Sequence, residues 1–137
     1  MATLTRIDHE ARPYSPEQLT EEEAAALFRA TLNLFRLWGV NDEQASIILD
    51  LTRRTYARWK AGGIGRSSRD GQARLSNLMG IHRALRTIFR DPGRGYAWIK
   101  APNEVFDGRS ALEVMLGGEL TDLMRVRRYL DAERGGW

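Results

Sequence analysis

Apolar residues recur every three or four positions through most of this sequence, and this spacing constrains the fold more than any other feature. It places side chains on one face of an α-helix. The first such face consists of Ala24, Leu27, Phe28, Thr31, Leu34, Phe35 and Trp38. Alternation of apolar and polar residues, which is typical of a half-buried strand, does not persist over any long run. The sequence therefore predicts an all-α fold, and a 42% hydrophobic content over 137 residues is enough for a buried core.

Capping residues mark where the first helices begin. Thr20 and Ser110 are each followed three residues later by glutamate, the capping-box pattern of a helix start. Asn41 or Asp42 opens a second, short helix, and Thr52 is a good N-cap for a third. Gly39, just after the first apolar face, predicts the end of the first helix.

The later boundaries are predicted in the same way. A long helix begins at Asp70 and continues to Arg90, where Asp91-Pro92-Gly93 stops it. Thr121 is expected to cap the last helix. Val105-Phe106 is the one short piece that we expect to be extended.

The net charge of +3 conceals a strongly basic middle. Residues 1–52 carry 4 basic and 9 acidic side chains, residues 53–94 carry 11 and 2, and residues 95–137 carry 6 and 7. A basic block is commonly a solvated surface, but it also suits a polyanionic partner. Charge alone leaves both interpretations open.

Residues 41–60 combine that charge with the pattern of a helix-turn-helix. Such a motif needs a small residue in its first helix, apolar residues beside the turn, a cap, and buried positions on the second helix. Those roles fall to Ala45, Leu49, Leu51, Thr52, Tyr56 and Trp59. In a major groove, the N-terminal residues of the second helix reach base edges and its flanks reach phosphates.

This segment resembles the Xre/Cro-type helix-turn-helix, in which many turns have glycine where Asp50 stands here. Aspartate tolerates a left-handed conformation better than most residues do. We assign base or groove contacts to Arg53, Arg54 and Arg58, with Thr55 beside them. Phosphate contacts are assigned to Lys60, Arg66 and Arg69. A single module contacts one half-site, so specific binding to operator DNA predicts a homodimer.

Residues 81–130 resemble the toxin-binding domain of the Xre/MbcA/ParS antitoxin family. The matching residues are Ala84, Phe89, Tyr96-Ala97-Trp98-Ile99, Pro102-Asn103, Phe106-Asp107-Gly108, Ser110-Ala111-Leu112, Leu116-Gly117-Gly118, Val126 and Leu130. Ala111 departs from the family, which commonly has proline after the cap residue.

The resemblance implies the antitoxin of a type II toxin–antitoxin system. Such a protein binds a RES-domain toxin, which consumes NAD, covers the entrance to its active site, and represses its own operon. The NAD chemistry belongs to the toxin. We assign toxin contacts to Tyr129, Asn103 and the C-terminal segment Arg134, Gly135, Gly136 and Trp137, where glycines allow extension and tryptophan supplies an apolar anchor.

Simpler interpretations of several of these residues stay open. Asn103 could be a turn residue after Pro102, and the C-terminal segment could have no binding role. Tyr96 and Trp98 suit a core as well as an interface. His82 lies on the apolar face of the long helix and is expected to be a packed or hydrogen-bonded core histidine.

The glycine- and serine-rich stretch at residues 61–68 predicts a boundary between modules. We expect a flexible arm over residues 1–19, the helix-turn-helix module over 20–69, and the toxin-binding module over 70–137.

The sequence offers no catalytic motif, and no catalytic residue, cofactor or metal is predicted. The absence of cysteine excludes thiolate zinc sites, and with two histidines no metal cluster can be assembled from imidazoles and thiolates. No membrane span or signal sequence is seen, so a cytoplasmic protein is expected. Two other functions fit the same sequence: a helix-turn-helix repressor whose C-terminal half serves dimerisation or binds a different partner, and an interaction module that binds no DNA.

Overall fold

In the computed structural model, which describes residues 19–135, the chain forms seven α-helices and one 3-10 turn, Glu104–Phe106. The helices are α1 (Glu21–Trp38), α2 (Asp42–Leu49), α3 (Arg53–Lys60), α4 (Arg69–Ile88), α5 (Pro92–Lys100), α6 (Ala111–Met115) and α7 (Leu120–Glu133). Between residues 19 and 135 no strand is present beyond an isolated β-bridge joining Pro102 and Ser110. The predicted all-α fold is confirmed. None of these helices is long and apolar enough to cross a membrane.

The predicted start and end of α1 are confirmed. The Thr20 hydroxyl accepts a hydrogen bond from the Glu23 backbone N–H at 3.0 Å, and the Glu23 carboxylate accepts one from the Thr20 N–H at 2.9 Å. These reciprocal bonds satisfy two of the amides that a helix start leaves free. At the other end Gly39 has a φ of 72°, a left-handed conformation that costs glycine little.

The boundaries of the long helix differ from those predicted. α4 begins at Arg69, because the Ser68 hydroxyl accepts from the Gly71 N–H at 2.9 Å, and it ends at Ile88 rather than Arg90. Asp91-Pro92-Gly93 was predicted as a stop but starts α5. The Asp91 carboxylate accepts from the Gly93 N–H at 3.1 Å, and Pro92 takes the first helical position, where no N–H is needed.

Two further predictions were wrong. The residue at the N-cap position of α7 is Glu119, whose N–H donates to the Asp122 carboxylate at 3.0 Å, so Thr121 lies inside the first turn. Val105 and Phe106 are not extended but belong to the 3-10 turn. That turn forms because the Asn103 side-chain oxygen accepts from the Val105 N–H at 3.0 Å.

The core is organised around α4, which packs against α1, α2, α5 and α7. Its buried apolar residues are Leu75, Leu78, Ile81, Ala84 and Leu85. A Cβ atom at Gly80 would lie 2.5 Å from the Arg127 guanidinium of α7, so any larger residue there would require that flexible side chain to move. The helix-turn-helix segment and the C-terminal segment therefore share one core.

Arg74 joins these two segments through a buried hydrogen-bond network. Its guanidinium donates to the Asp70 carboxylate at 2.6 Å, to the Ile48 carbonyl at 3.0 Å and to the Gly118 carbonyl at 2.8 Å. Ile48 belongs to the last turn of α2, where helix carbonyls lack partners within the helix. Gly118 belongs to the loop between α6 and α7. With its side chain only 5% exposed, Arg74 is a structural residue.

His82 is half-buried on α4. Its Nδ1 atom is buried and has no hydrogen-bond partner among the described residues, so the hydrogen bond expected for a core histidine is not formed at this atom. Burial, and then the positive charges of Arg86 and Arg83, lower the pKa of His82 below its ordinary value. The side chain is therefore held in its neutral form more strongly than in an unfolded chain.

Replacing Arg74 with methionine should lower the free energy of unfolding by about 2–4 kcal/mol, because one buried carbonyl, one partly buried carbonyl and one carboxylate lose their donor. Arg74→Lys should cost less, since an ammonium keeps the charge but lacks the fork of donors. Urea denaturation measures both. Arg128→Met, which removes an exposed arginine from α7, is the control and should change stability by less than about 0.5 kcal/mol. Wild-type stability in the Arg74→Met variant would contradict this role.

Candidate nucleic-acid interface and partner surface

The turn between α2 and α3 has the geometry of a helix-turn-helix. Asp50 adopts φ 55° and ψ 46°, the left-handed conformation that the motif requires at this position. The Asp50 N–H donates to the Ile47 carbonyl at 3.1 Å, and the Leu51 N–H donates to the Ser46 carbonyl at 2.9 Å. Thr52 then caps α3, its hydroxyl accepting from the Thr55 N–H at 3.0 Å. These bonds fix the direction in which α3 leaves α2.

The inner face of α3 is held by aromatic packing on α1. Tyr56 and Trp59 are buried, and both contact Phe28 edge to face, with ring centroids 6.1 and 5.4 Å away. Burial, and then the negative charge of Asp42, raise the pKa of Tyr56 to about 12. The phenol therefore stays neutral at physiological pH. Because both large side chains point inward, the opposite face of α3 is fixed toward solvent.

That outer face is basic. Arg53, Arg54 and Arg58 are exposed, and within residues 19–135 none of them forms an ion pair or a side-chain hydrogen bond. Arg54 and Arg58 are one turn apart and so lie on the same side of the helix. No acidic residue is present in α3. Thr55 is half-buried beside them. The structure thus brings the predicted base-reading residues together on one solvent-facing surface.

The three residues predicted to contact phosphates, Lys60, Arg66 and Arg69, differ in their surroundings. The Lys60 ammonium lies 2.8 Å from the Asp42 carboxylate, so part of its charge is already compensated. The Arg66 guanidinium is 86% exposed and 3.5 Å from the Glu21 carboxylate, a weak pairing in water. Arg69 is exposed at the first position of α4 and lines a shallow hollow together with Arg66. Both flank the helix-turn-helix.

The C-terminal segment has a compact aromatic cluster at its surface, formed by Trp98, Phe106 and Tyr129. Tyr129 stacks on Trp98, with ring centroids 6.1 Å apart and planes 3° from parallel, and it meets Phe106 edge to face at 5.7 Å. Phe106 is buried, whereas Trp98 and Tyr129 are half-buried. The Arg125 guanidinium lies 5.3 Å from the Phe106 centroid. Next to Phe106 in the chain, Val105 is 44% exposed, one of two large apolar residues so exposed among those described.

Of this cluster, the sequence predicted only Tyr129 as a contact residue. Trp98 and Phe106 were part of the family resemblance, but spacing along the chain did not indicate that they meet Tyr129. Val105 was missed, because a valine beside a buried phenylalanine gives no signal of exposure until the 3-10 turn is known. The cluster depends on α5, the turn and α7 coming together.

Asn103 has a clear structural task. Its side-chain oxygen forms the cap of the 3-10 turn, its N–H donates to the Arg109 carbonyl at 3.1 Å, and its carbonyl accepts from Phe106 and Gly108. Asn103 therefore shapes the loop that presents Val105.

The end of α7 is described as far as Gly135. The Arg134 guanidinium is 3.4 Å from the Asp131 carboxylate, and Gly135 has a φ of 72°. Gly136 and Trp137, which the sequence assigns to toxin contacts, lie outside the described residues. Within residues 19–135, no group of three histidine, aspartate or glutamate side chains could hold a metal ion.

Comparison with known families matches both halves of the chain. Residues 17–80 match the antitoxin Xre-like helix-turn-helix domain, and residues 84–136 match the antitoxin Xre/MbcA/ParS C-terminal toxin-binding domain. The chain is also similar to the uncharacterized protein y4oB of Sinorhizobium fredii (strain NBRC 101917 / NGR234). The two are 40% identical over 124 residues, which cover 90% of this chain and 93% of that protein. The chain belongs to the Xre-type antitoxins, with a helix-turn-helix domain followed by a toxin-binding domain.

Proposed function

We propose that this antitoxin neutralises a RES-domain, NAD-consuming toxin by binding it and occluding its active site, and that it represses its own operon by binding operator DNA. The DNA-binding half of the proposal is carried by three arginines on the outer face of α3, which form no ion pair or side-chain hydrogen bond within residues 19–135. The inner face of α3 packs on Phe28. The match of residues 84–136 to a toxin-binding domain supports the other half. We assign DNA binding to residues 20–69 and toxin binding to residues 70–137.

In the DNA complex, α3 enters the major groove. Arg54 and Arg58 face base edges, where a guanidinium can donate two hydrogen bonds to guanine O6 and N7. Arg53, in the first turn, contacts a base edge or the groove beside them. The free amides and the dipole at this end of the helix also favour a nearby phosphate. Arg66 and Arg69 contact the backbone beside the groove. Lys60 joins them when its ammonium turns from Asp42 to a phosphate.

Specific binding requires two copies. One recognition helix of eight residues reads a single half-site, which is too little contact for tight and selective binding. A homodimer on a pseudo-palindrome doubles the contacts and fixes the spacing between half-sites.

Toxin binding uses the aromatic cluster and the residues that follow α7. Trp98 and Tyr129 offer large, rigid apolar area at little entropic cost, and Val105 extends it. We place Arg134, Gly135, Gly136 and Trp137 at the entrance to the toxin's active site. This chain supplies the contacts and the steric block, and the reaction with NAD stays in the toxin.

Substitution of α3 should separate base reading from phosphate binding. Arg54→Ala should weaken binding to the operator by about 1–3 kcal/mol and relax the base preference at the position that Arg54 reads. Lys60→Ala should weaken binding to all sequences by a similar small factor, and the salt slope should fall by at most about one. Because the Asp42 carboxylate already compensates part of the Lys60 charge, we expect the salt slope to fall by less than about one.

Electrophoretic shift assays at several salt concentrations measure these effects, with Arg128→Ala on α7 as an exposed arginine control. If Arg54→Ala and Lys60→Ala both leave operator binding unchanged, α3 is not the recognition helix.

Co-expression with a RES-domain toxin encoded next to this gene tests neutralisation. The wild-type chain should restore growth and co-purify with the toxin. Val105→Asp should weaken the complex about tenfold or more, because it places a carboxylate in an apolar contact. Ile47→Asp is the matched control, since Ile47 is 41% exposed but belongs to α2. Toxicity that the wild-type chain does not relieve would contradict the proposed function; equal binding by Val105→Asp would remove the aromatic cluster from the interface.

A chain ending at Glu133 tests the segment that follows α7. Without Arg134–Trp137, neutralisation should be weaker and the toxin's NAD consumption should recover in part. Operator binding should be unchanged, because α3 and its supports are intact. NAD turnover by the purified complex measures the effect. Full inhibition by the shortened chain would mean that this segment does not block the active site.

A further inference from the structure

A cavity of about 410 Å³ lies behind α3, between the helix-turn-helix and the beginning of α4. Its apolar walls come from α1, from the end of α2 and the turn after it, from α3 and from α4, and they consist of Phe28, Leu49, Leu51, Trp59 and Leu75. Four of these five residues are buried, and Leu51 is half-buried. Since one water takes up about 30 Å³ of liquid, the cavity has room for roughly a dozen non-hydrogen atoms. Cavities of this size with apolar walls commonly bind small molecules.

Two buried polar atoms on the residues that line this cavity have no hydrogen-bond partner. They are the indole Nε1 of Trp59 and the hydroxyl oxygen of Ser67. A Cβ atom at Gly65 would lie 3.1 Å from this Nε1, so the indole N–H faces the same loop that carries Ser67. Folded proteins pair nearly all of their buried donors, so a hydrogen-bond acceptor would be favourable at both atoms.

The loop before α4 also brings positive charge to the cavity. The Arg66 guanidinium lines it and has only the weak pairing with Glu21 at 3.5 Å. Ser68 and Gly71, at the beginning of α4, line it as well, and the dipole of this 20-residue helix places partial positive charge at its first turn. A negatively charged acceptor is therefore favoured at this end of the cavity.

Two acidic residues, Asp50 and Asp70, also line the cavity. The Asp70 carboxylate is bound to the Arg74 guanidinium at 2.6 Å, so its charge is already compensated. Asp50 forms no ion pair within residues 19–135 and belongs to the turn between α2 and α3 rather than to the loop before α4. The acidic residues therefore do not cancel the positive character of the loop end.

We propose that this cavity is a binding site for a small molecule with an apolar body and a carboxylate. The carboxylate accepts hydrogen bonds from the Ser67 hydroxyl and the Trp59 indole N–H. It lies beside the Arg66 guanidinium, and the apolar body packs on the leucine and phenylalanine walls. A bound molecule contacts the turn and the inner face of α3, directly behind the surface proposed to contact DNA. The site itself does not depend on that proposed function.

NMR of the ¹⁵N-labelled full chain tests this site, with 3-phenylpropionate as the probe. The indole N–H signal of Trp59, identified by its loss in Trp59→Phe, should shift in a saturable manner with a dissociation constant of about 1 mM or lower. Trp38 is the internal control, because its Nε1 is also buried and unpartnered but does not line the cavity. The matching amide should bind about threefold more weakly and the matching amine at least about tenfold more weakly, since only the acid carries a negative charge.

Substitutions of the proposed donors complete the test. Ser67→Ala should weaken probe binding about fivefold without lowering the unfolding temperature of the free chain, because its hydroxyl has no partner there. Ser76→Ala, on α4 outside the cavity, is the matched control and should bind the probe like the wild-type chain. Arg66→Gln should weaken binding about threefold, because this guanidinium is largely in water.

Absence of a saturable shift at Trp59, an equal shift at Trp38, an amine that binds as tightly as the acid, or unchanged probe affinity in Ser67→Ala would each overturn the inference. The Ser67→Ala result does not depend on whether Trp59→Phe folds. None of these measurements uses operator DNA or toxin, so their failure would leave the proposed function standing.

Discussion

The buried guanidinium of Arg74 is the interaction on which the arrangement of this protein depends. It bonds at once to the end of α2, beside the helix-turn-helix turn, and to Gly118 in the loop before α7. The half-exposed Asp70 carboxylate balances its charge one turn earlier on α4. A buried cation without such partners would be strongly unfavourable. Movement of either the α2–α3 turn or the α6–α7 loop therefore costs a hydrogen bond to this group.

A shared core follows from this network and from the position of α4. The same helix presents buried residues to α1 and α2 and to α5 and α7. The antitoxin family assigns DNA recognition to the first half and toxin recognition to the second, and here both halves rest on one helix. The outer face of α3 and the aromatic cluster of Trp98, Phe106 and Tyr129 belong to different elements of that core. Each surface can thus be altered by substitution without removing the other.

Local signals in the sequence predicted most of the helices. The capping boxes at Thr20 and Ser110 and the left-handed turn at Asp50 depend on residues within a few positions of each other. Such local patterns can be recognised in the sequence alone. Asp91-Pro92 was misjudged because the pair fits both the end of one helix and the start of the next. The cap that forms, with Gly93, decides between them.

The features that escaped prediction depend on contacts between distant residues. Arg74 looked like one more member of a basic block, and nothing near it in the chain marks the carbonyls 26 and 44 residues away that bury it. Lys60 was assigned a phosphate contact, and the sequence did not indicate that its ammonium pairs with Asp42, which lies 18 residues away on the preceding helix. The outer arginines of α3 were predicted correctly as exposed, because Tyr56 and Trp59 mark the opposite face.

This antitoxin is proposed to have separate surfaces for DNA and toxin. The most direct test is whether one copy of the chain binds operator DNA and toxin at the same time. A shift assay with the labelled operator, performed with the chain alone and then with added RES-domain toxin, measures this. A further retarded band containing DNA, antitoxin and toxin is the predicted result. Release of the DNA as the toxin binds, or no interaction of the chain with either partner, would contradict separate binding surfaces on one shared core.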